Sequence, residues 1–301
     1  MPVSIRRLLL LVATAAVAGG AVLVGLRLAG DDATPGARPG ERGAGGGAAG
    51  TGTATADGAA SLSPTPAGSP MPVVRGAAAR QMAVPILMYH VLGTPPAGAS
   101  LPELWVSKDN FRRQLAVLAK DGYQAVTLKA VFGAWTRGGP LPRKPVVLSF
   151  DDGYLSQATI AAPAMRRYGW PGVLNVTTHN LGPDGLPRHL ATQLAREGWE
   201  FDSHTVSHPD LRTISDAQLR RELTQSRREI ATLVGSTPQF FCYPAGKYDA
   251  RVVAAVRAAG YAGATTVDSG VARRSDDPFT LPRLRITNAD RGGALLARLM
   301  P

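Results

Sequence analysis

Cysteine is almost absent from this chain, and the one present, Cys242, sits among Phe240, Phe241 and Tyr243. No internal disulfide can form, and the apolar neighbours mark a buried structural thiol. Also missing is any run that interleaves Lys or Arg with aromatic side chains, as single-strand nucleic-acid binders do. The formal charge is +11, yet the basic residues are scattered, mostly Arg, in an Ala- and Gly-rich background. That pattern argues against a nucleic-acid partner. It fits sequence-independent attraction to anionic lipid or an anionic wall polymer. There is no internal repeat of fixed period.

Long apolar runs are scarce outside the N-terminus. Leu8 to Leu26 is a stretch of 19 uncharged residues behind Arg6 and Arg7, long enough to span a bilayer as a helix. It is longer than the apolar region of a secretory signal, and no clear small-x-small cleavage site follows. Residues 1–29 are therefore expected to form an uncleaved single-pass anchor in the cell membrane, arginines inside and the rest of the chain outside. Cleavage of the segment would make the protein secreted instead. Residues 30–83 are dominated by Gly, Ala, Pro, Ser and Thr, with too little large apolar surface to offset ordering entropy, and are expected to be a disordered linker. The remaining domain, 84–301, holds 26 basic and 18 acidic residues once the seven basic and four acidic residues before it are subtracted.

Within that domain strand and helix signals alternate. Val84 to Tyr89, Gln124 to Leu128, Val146 to Phe150 and Gly172 to Thr177 read as strands. Ser107 caps a helix carrying Phe111, Leu115 and Leu118. Ile160 to Tyr168 and Asp249 to Ala259 read as further helices, and Ser215 to Gln218 is a capping box ahead of Leu219, Leu223, Ile230 and Leu233. Such alternation implies an α/β fold with a parallel sheet. About seven units in some 200 residues predict a distorted (β/α) barrel, its active site at the strands' C-terminal ends.

Two of these runs end in chemistry. Lys144 to Phe150 stops at Asp151-Asp152-Gly153, and Trp199 to Ser203 alternates before His204-Thr205-Val206-Ser207-His208. The acids and the imidazoles thus leave strands in the same sense. They supply what a mononuclear metallohydrolase needs: two imidazole ligands, one carboxylate ligand, and a second carboxylate to take a proton. Singly, an acidic pair before Gly is often a turn and a histidine pair often a surface feature. Together, ahead of Tyr243-Pro244-Ala245-Gly246, they point to one site.

These segments resemble the polysaccharide deacetylase family, the chitooligosaccharide-deacetylase homology domain also called carbohydrate esterase family 4. Ser149-Phe150-Asp151-Asp152-Gly153 resembles its first motif, and His204 to His208, flanked by Ser203 and Pro209-Asp210-Leu211, its second. The resemblance spans about Val84 to Ile286. It implies that Asp152, His204 and His208 bind a divalent metal, commonly zinc, and that Asp151 is the general base. It also implies that the Ala245 backbone N–H, in a segment similar to the third motif, holds the oxyanion. The implied activity is removal of N-acetyl groups from an amino-sugar polymer of the cell envelope or exterior. That polymer and the membrane are the expected partners, with no obligate protein partner evident.

The chain departs from the family pattern at three places. The Arg that often precedes the third motif, and orients the base, is Cys242. The fourth motif is reduced to a remnant around Asp268-Ser269-Gly270. The late Leu-x-His motif, which usually supplies the general acid, reads Leu281-Pro282-Arg283-Leu284-Arg285. These departures, with Pro85 to Leu92, are similar to the branch of poly-beta-1,6-N-acetylglucosamine deacetylases. His90, at the end of the first strand, is the candidate acid ahead of His179 and His189. Tyr154 and Tyr243 are candidate sugar contacts, whereas Trp105, Trp135 and Trp199 suit core or rim packing. Two further readings use the same fold: a polysaccharide O-acetyl esterase, and a carbohydrate-binding protein with weakened catalysis.

Overall fold

The structure is a computed structural model and describes residues 72–300. The expected anchor and most of the expected linker lie outside the described residues. Among the described residues no helix is long and apolar enough to cross a membrane.

Seven parallel strands close into a barrel. They are β1 (Ile86–Tyr89), β3 (Pro145–Asp152), β4 (Val173–Val176), β5 (Glu200–Ser203), β6 (Phe240–Cys242), β7 (Gly263–Ser269) and β8 (Leu281–Arg285), with β8 pairing back onto β1 and β1 onto β3. A short β2 (Gln124–Ala125) adds to the start of β3. Helices surround the barrel: α1 (Gly76–Arg80), α2 (Lys108–Lys120), α3 (Leu128–Arg137), α4 (Ala162–Arg166), α5 (Arg188–Arg196), α6 (Asp216–Val234), α7 (Ala250–Ala258) and α8 (Gly292–Leu299).

The strand pleat sorts the side chains. Outward positions such as Leu87, Tyr89, Leu148, Phe150, Leu174 and Phe201 pack with α2 and α8 residues Phe111, Leu115 and Leu295 in one apolar layer. Tyr89, Phe111 and Phe150 meet there at ring-centroid distances of 5.3–6.0 Å. Inward positions near the strand starts, Ile86, Val147, Val173, Phe240 and Leu281, form the barrel floor with Val131 and Trp135 of α3. Two residues further along four of these strands the inward positions are Ser149, Asn175, Cys242 and Arg283, whereas β1 keeps the apolar Met88. Because side chains alternate with period two, the same strands that build a dry floor deliver polar groups to the opposite end.

Three expectations change. Ordered structure begins before residue 84: Val73–Val74 pairs antiparallel with Leu141–Pro142, and the Trp135 indole donates to the Met82 carbonyl at 2.8 Å. The apparent strand from Gln124 to Leu128 ends at Ala125, because Thr127 caps α3 by accepting from the Ala130 N–H. The helix expected over Ile160 to Tyr168 instead starts with a wide, five-residue-spaced turn over Gln157–Ala161 before α4. The capping box is present: Ser215 accepts from the Gln218 N–H, and the Gln218 side chain accepts from the Ser215 N–H.

Candidate active site and metal centre

Adjacent residues of a strand point to opposite faces, so an Asp-Asp pair at a strand end should split across the sheet. Here it does not. Asp151 follows the inward series of Val147 and Ser149, while Asp152 takes φ 76°, a left-handed conformation that lets the following carboxylate face the barrel mouth as well. The turn after β5 uses the same device, with Thr205 at φ 71° and His208 at φ 59°. Among the described residues the non-glycine positive-φ positions are these three and Ala245. Each such residue costs about 1–3 kcal/mol and persists only where its surroundings over-determine it, which is characteristic of functional sites.

Glu222 of α6 provides that determination for the histidine loop. Its Oε2 accepts from the Val206 and Ser207 N–H groups at 2.8 and 3.0 Å, and its Oε1 from the Ser207 hydroxyl at 2.8 Å. The loop closes on itself where the His208 N–H donates to Thr205 Oγ1 at 2.8 Å. His204 is fixed separately: its Nδ1 lies 2.7 Å from the Cys242 carbonyl. That contact demands a proton on Nδ1 and leaves the Nε2 lone pair free for a cation.

The resulting donor set is compact. His204 Nε2 and His208 Nε2 stand 3.5 and 3.7 Å from Asp152 Oδ1. Bonds of about 2.0–2.1 Å from these donors to one tetrahedral cation place them about 3.2–3.5 Å apart, so the residues present fit a divalent metal with little adjustment. Asp151, His204 and Cys242 form another compact group, but it does not suit a cation. Burial pushes the Cys242 thiol well above its ordinary range, despite the opposing pull of Arg283, and Asp151 is already bonded elsewhere.

That bonding centres on Arg283, which is fully buried. Its Nη1 and Nη2 reach Asp151 Oδ1 and Oδ2 at 2.8 and 2.7 Å, a bidentate pair. Its other donors go to the Thr266 carbonyl at 2.8 Å, Ser149 Oγ at 3.2 Å and Cys242 Sγ at 3.2 Å. Asn175 Nδ2 adds a bond to Asp151 Oδ1 at 2.8 Å, and Gln157 Nε2 one to the Asp151 carbonyl at 2.6 Å. Burial alone would raise the Asp151 pKa, but the Arg283 charge and hydrogen bonds override it and hold the carboxyl well below the usual range. Asp151 is thus ionised, its Oδ1 shared by Arg283 and Asn175 and its Oδ2 by Arg283 and, at 3.7 Å, the Cys242 thiol.

The remaining expected residues divide. His90 Nε2 lies 3.8 Å from Asp151 Oδ2, its side chain 12% exposed, and burial lowers its pKa against the raising effect of Asp151. His179 and His189 are exposed. Ala245 sits in a turn at φ 51° whose backbone bonds are made by the Gly246 and Lys247 N–H groups, not by its own. Tyr154 is half-buried, with its hydroxyl against the Asp152 carboxylate; burial and then Asp152 raise its pKa. Tyr243 is not a sugar contact: it is fully buried, its hydroxyl donates to the Phe279 carbonyl at 3.0 Å, and it packs with Phe241. It follows the inward-facing Cys242 and so must point out of the barrel. Trp135 and Trp199 are core residues. Arg283, Asn175 and Glu222 were not singled out from the sequence. The available signals are Glu222 on the apolar face of α6 and Arg283 following Leu281 at strand spacing.

Residues 138–264 match the family model for polysaccharide deacetylase. Over those residues the chain is similar to polysaccharide deacetylases. YxkH of Bacillus subtilis, whose name places it among polysaccharide deacetylases, is 27% identical over 212 residues, covering 70% of this chain and 74% of that protein. The poly-beta-1,6-N-acetyl-D-glucosamine N-deacetylase of Staphylococcus aureus is 21% identical, covering 61% of this chain and 68% of its own. Among solved structures, the Streptococcus pyogenes deacetylase PplD in complex with acetate superposes with a TM-score of 0.69 at 25% identity, over 73% of this chain and all of that one.

The buried pair gives this domain a testable acid–base signature. Asp151 has a depressed pKa when folded, so its contribution is complete above the unfolded value of 3.8 and is lost as pH falls below it. Removing the guanidinium reverses the sign, since a buried, unpaired Asp151 would have its pKa raised and would destabilise the domain at every pH above that value. Arg283→Met is expected to lose about 3–5 kcal/mol in urea denaturation at pH 7.5. The deficit against wild type should shrink as pH is lowered toward 4 and Asp151 takes up a proton. A deficit independent of pH would show that Arg283 acts by packing alone.

Proposed function

We propose that this domain is a metal-dependent deacetylase that removes N-acetyl groups from an amino-sugar polysaccharide, held at the outer face of the cell membrane by residues 1–29. The observation that carries the reading is the triangle of Asp152, His204 and His208 donors beside an ionised Asp151. A divalent cation held there, zinc by the nature of the donors, supplies Lewis-acid polarisation of the acetyl carbonyl and a more acidic attacking water.

The protein's own groups do the rest. Asp151 Oδ2 accepts the proton of the attacking water, its orientation fixed by Arg283 and Asn175. The Ala245 N–H, left over by its turn, donates to the oxygen that gains charge as the carbonyl carbon becomes tetrahedral. His90, whose Nε2 lies 3.8 Å from Asp151 Oδ2, relays the proton that Asp151 has taken from water to the departing amine. Tyr154, against Asp152 at the mouth, offers a ring face to the sugar.

Acetate release from N-acetylglucosamine oligomers, compared with acetylated xylan, tests the activity and separates amide from ester specificity. Asp152→Ala, His204→Ala and His208→Ala should each lower metal content and turnover together, because three protein ligands leave no spare. Asp151→Asn should keep the metal and lose at least about 100-fold in turnover. Retention of near-normal turnover by Asp151→Asn would reject the base assignment.

His90→Ala should depress turnover of an N-acetyl substrate much more than that of an ester with a good leaving group, since only the amine requires strong protonation. Equal losses on both would reassign His90 to positioning.

The full chain should stay with membranes through high-salt and carbonate washes, because salt does not screen hydrophobic burial. Recovery from the medium of a product beginning after residue 28 would show a cleaved signal instead.

A further inference from the structure

A half-buried cation with no partner among the described residues stands at the barrel mouth. Arg285 lies two residues beyond Arg283 on β8, hence on the same inward face of the pleat, and is opposite Met88 of β1 in register. That places it beside His90, two residues beyond Met88, and its positive charge is among those felt by the His90 imidazole. Arg283 spends its donors on Asp151, Ser149, Thr266 and Cys242. Arg285 makes no hydrogen bond or ion pair among the described residues. Lys247, after the Ala245 turn, lies 3.3 Å from Asp210, and Asp268 on β7 accepts from the Tyr248 hydroxyl at 3.1 Å.

Withdrawing a guanidinium from water without an acceptor is unfavourable, and its planar fork matches a carboxylate. We propose that Arg285 is a specificity-determining residue that binds a carboxylate on the glycan next to the N-acetyl group being removed, so that the preferred substrate is an acidic amino-sugar polymer. The inference rests on the deacetylase reading above and narrows its substrate class. The surplus of 26 basic over 18 acidic residues in 84–301 would steer the same polymer toward the domain.

The test compares kcat/KM on a neutral N-acetylglucosamine tetramer with that on the same tetramer whose 6-hydroxymethyl groups next to the acetylated sugar are oxidised to carboxylates. Wild type should favour the acidic tetramer by about 10- to 100-fold, the scale of a hydrogen bond between charged groups. The ratio should approach one in Arg285→Gln, remain intermediate in Arg285→Lys, and shrink with added salt in the wild type. Equal wild-type kcat/KM on both tetramers overturns the inference alone. So does a loss in Arg285→Gln that is the same on both substrates and moves the pH profile, which would leave Arg285 as a modulator of His90. Absence of acetate release from either tetramer by metal-loaded wild type overturns the deacetylase reading, and this inference with it.

Discussion

The bidentate ion pair between Arg283 and Asp151 is the constraint around which the rest of the domain is arranged. Both side chains are almost wholly buried. Their charges are tolerable there only because each finds a nearly complete set of partners across β3, β4, β6, β7 and β8. A guanidinium and a carboxylate withdrawn from water cost several kcal/mol each, which their attraction offsets only in good geometry. The barrel must therefore close in the observed register, since a one-residue slip of β8 would turn Arg283 out into the apolar helix layer.

The second constraint is backbone strain, and it follows from the first. With Asp151 committed to Arg283, a cation needs another carboxylate, and the nearest lies one residue on, where a regular strand would point it away. The left-handed Asp152 resolves this conflict, with Asn180 Nδ2 holding the Asp152 carbonyl at 2.9 Å. Thr205 and His208 resolve the corresponding problem in the histidine turn, with Glu222 taking the freed N–H groups. Strain at these positions is balanced by hydrogen bonds from neighbouring elements, so the site is organised before a cation or a substrate arrives.

The sequence made some parts of this legible and hid others for physical reasons. Strand runs bounded by glycine, the Ser107 cap and the Ser215 capping box are local signals, and the barrel architecture follows from their alternation. The Gln124 to Leu128 segment misled because alternation over five residues looks the same before a helix cap at Thr127 as along a strand. The residues proposed as ligands announce themselves by spacing, and the structure brings them together. Arg283 does not, because its partner lies 132 residues away in sequence and no local pattern encodes that pairing. Tyr243 looks like a sugar contact in sequence because the parity of β6, which sends Cys242 inward and Tyr243 outward, is visible only once the register with β7 is known.

The apparent loss of the base-orienting arginine at Cys242 takes on a different meaning in three dimensions. The thiol occupies the inward position of β6, and the guanidinium reaches the same place from β8, with Arg283 Nη2 3.2 Å from Cys242 Sγ. A small, neutral side chain at 242 is what leaves room for it. The exchange has a chemical consequence. A carboxylate pinned by a buried arginine is ionised at any working pH but is an intrinsically weak base, so Asp151 contributes availability and direction more than proton affinity. On the proposed reading, a cation held by Asp152, His204 and His208 would supply the acidity of the attacking water that such a weak base needs. The proposed base and the carboxylate of the donor triangle are adjacent residues of β3, so on this reading the two halves of the site would act as one unit.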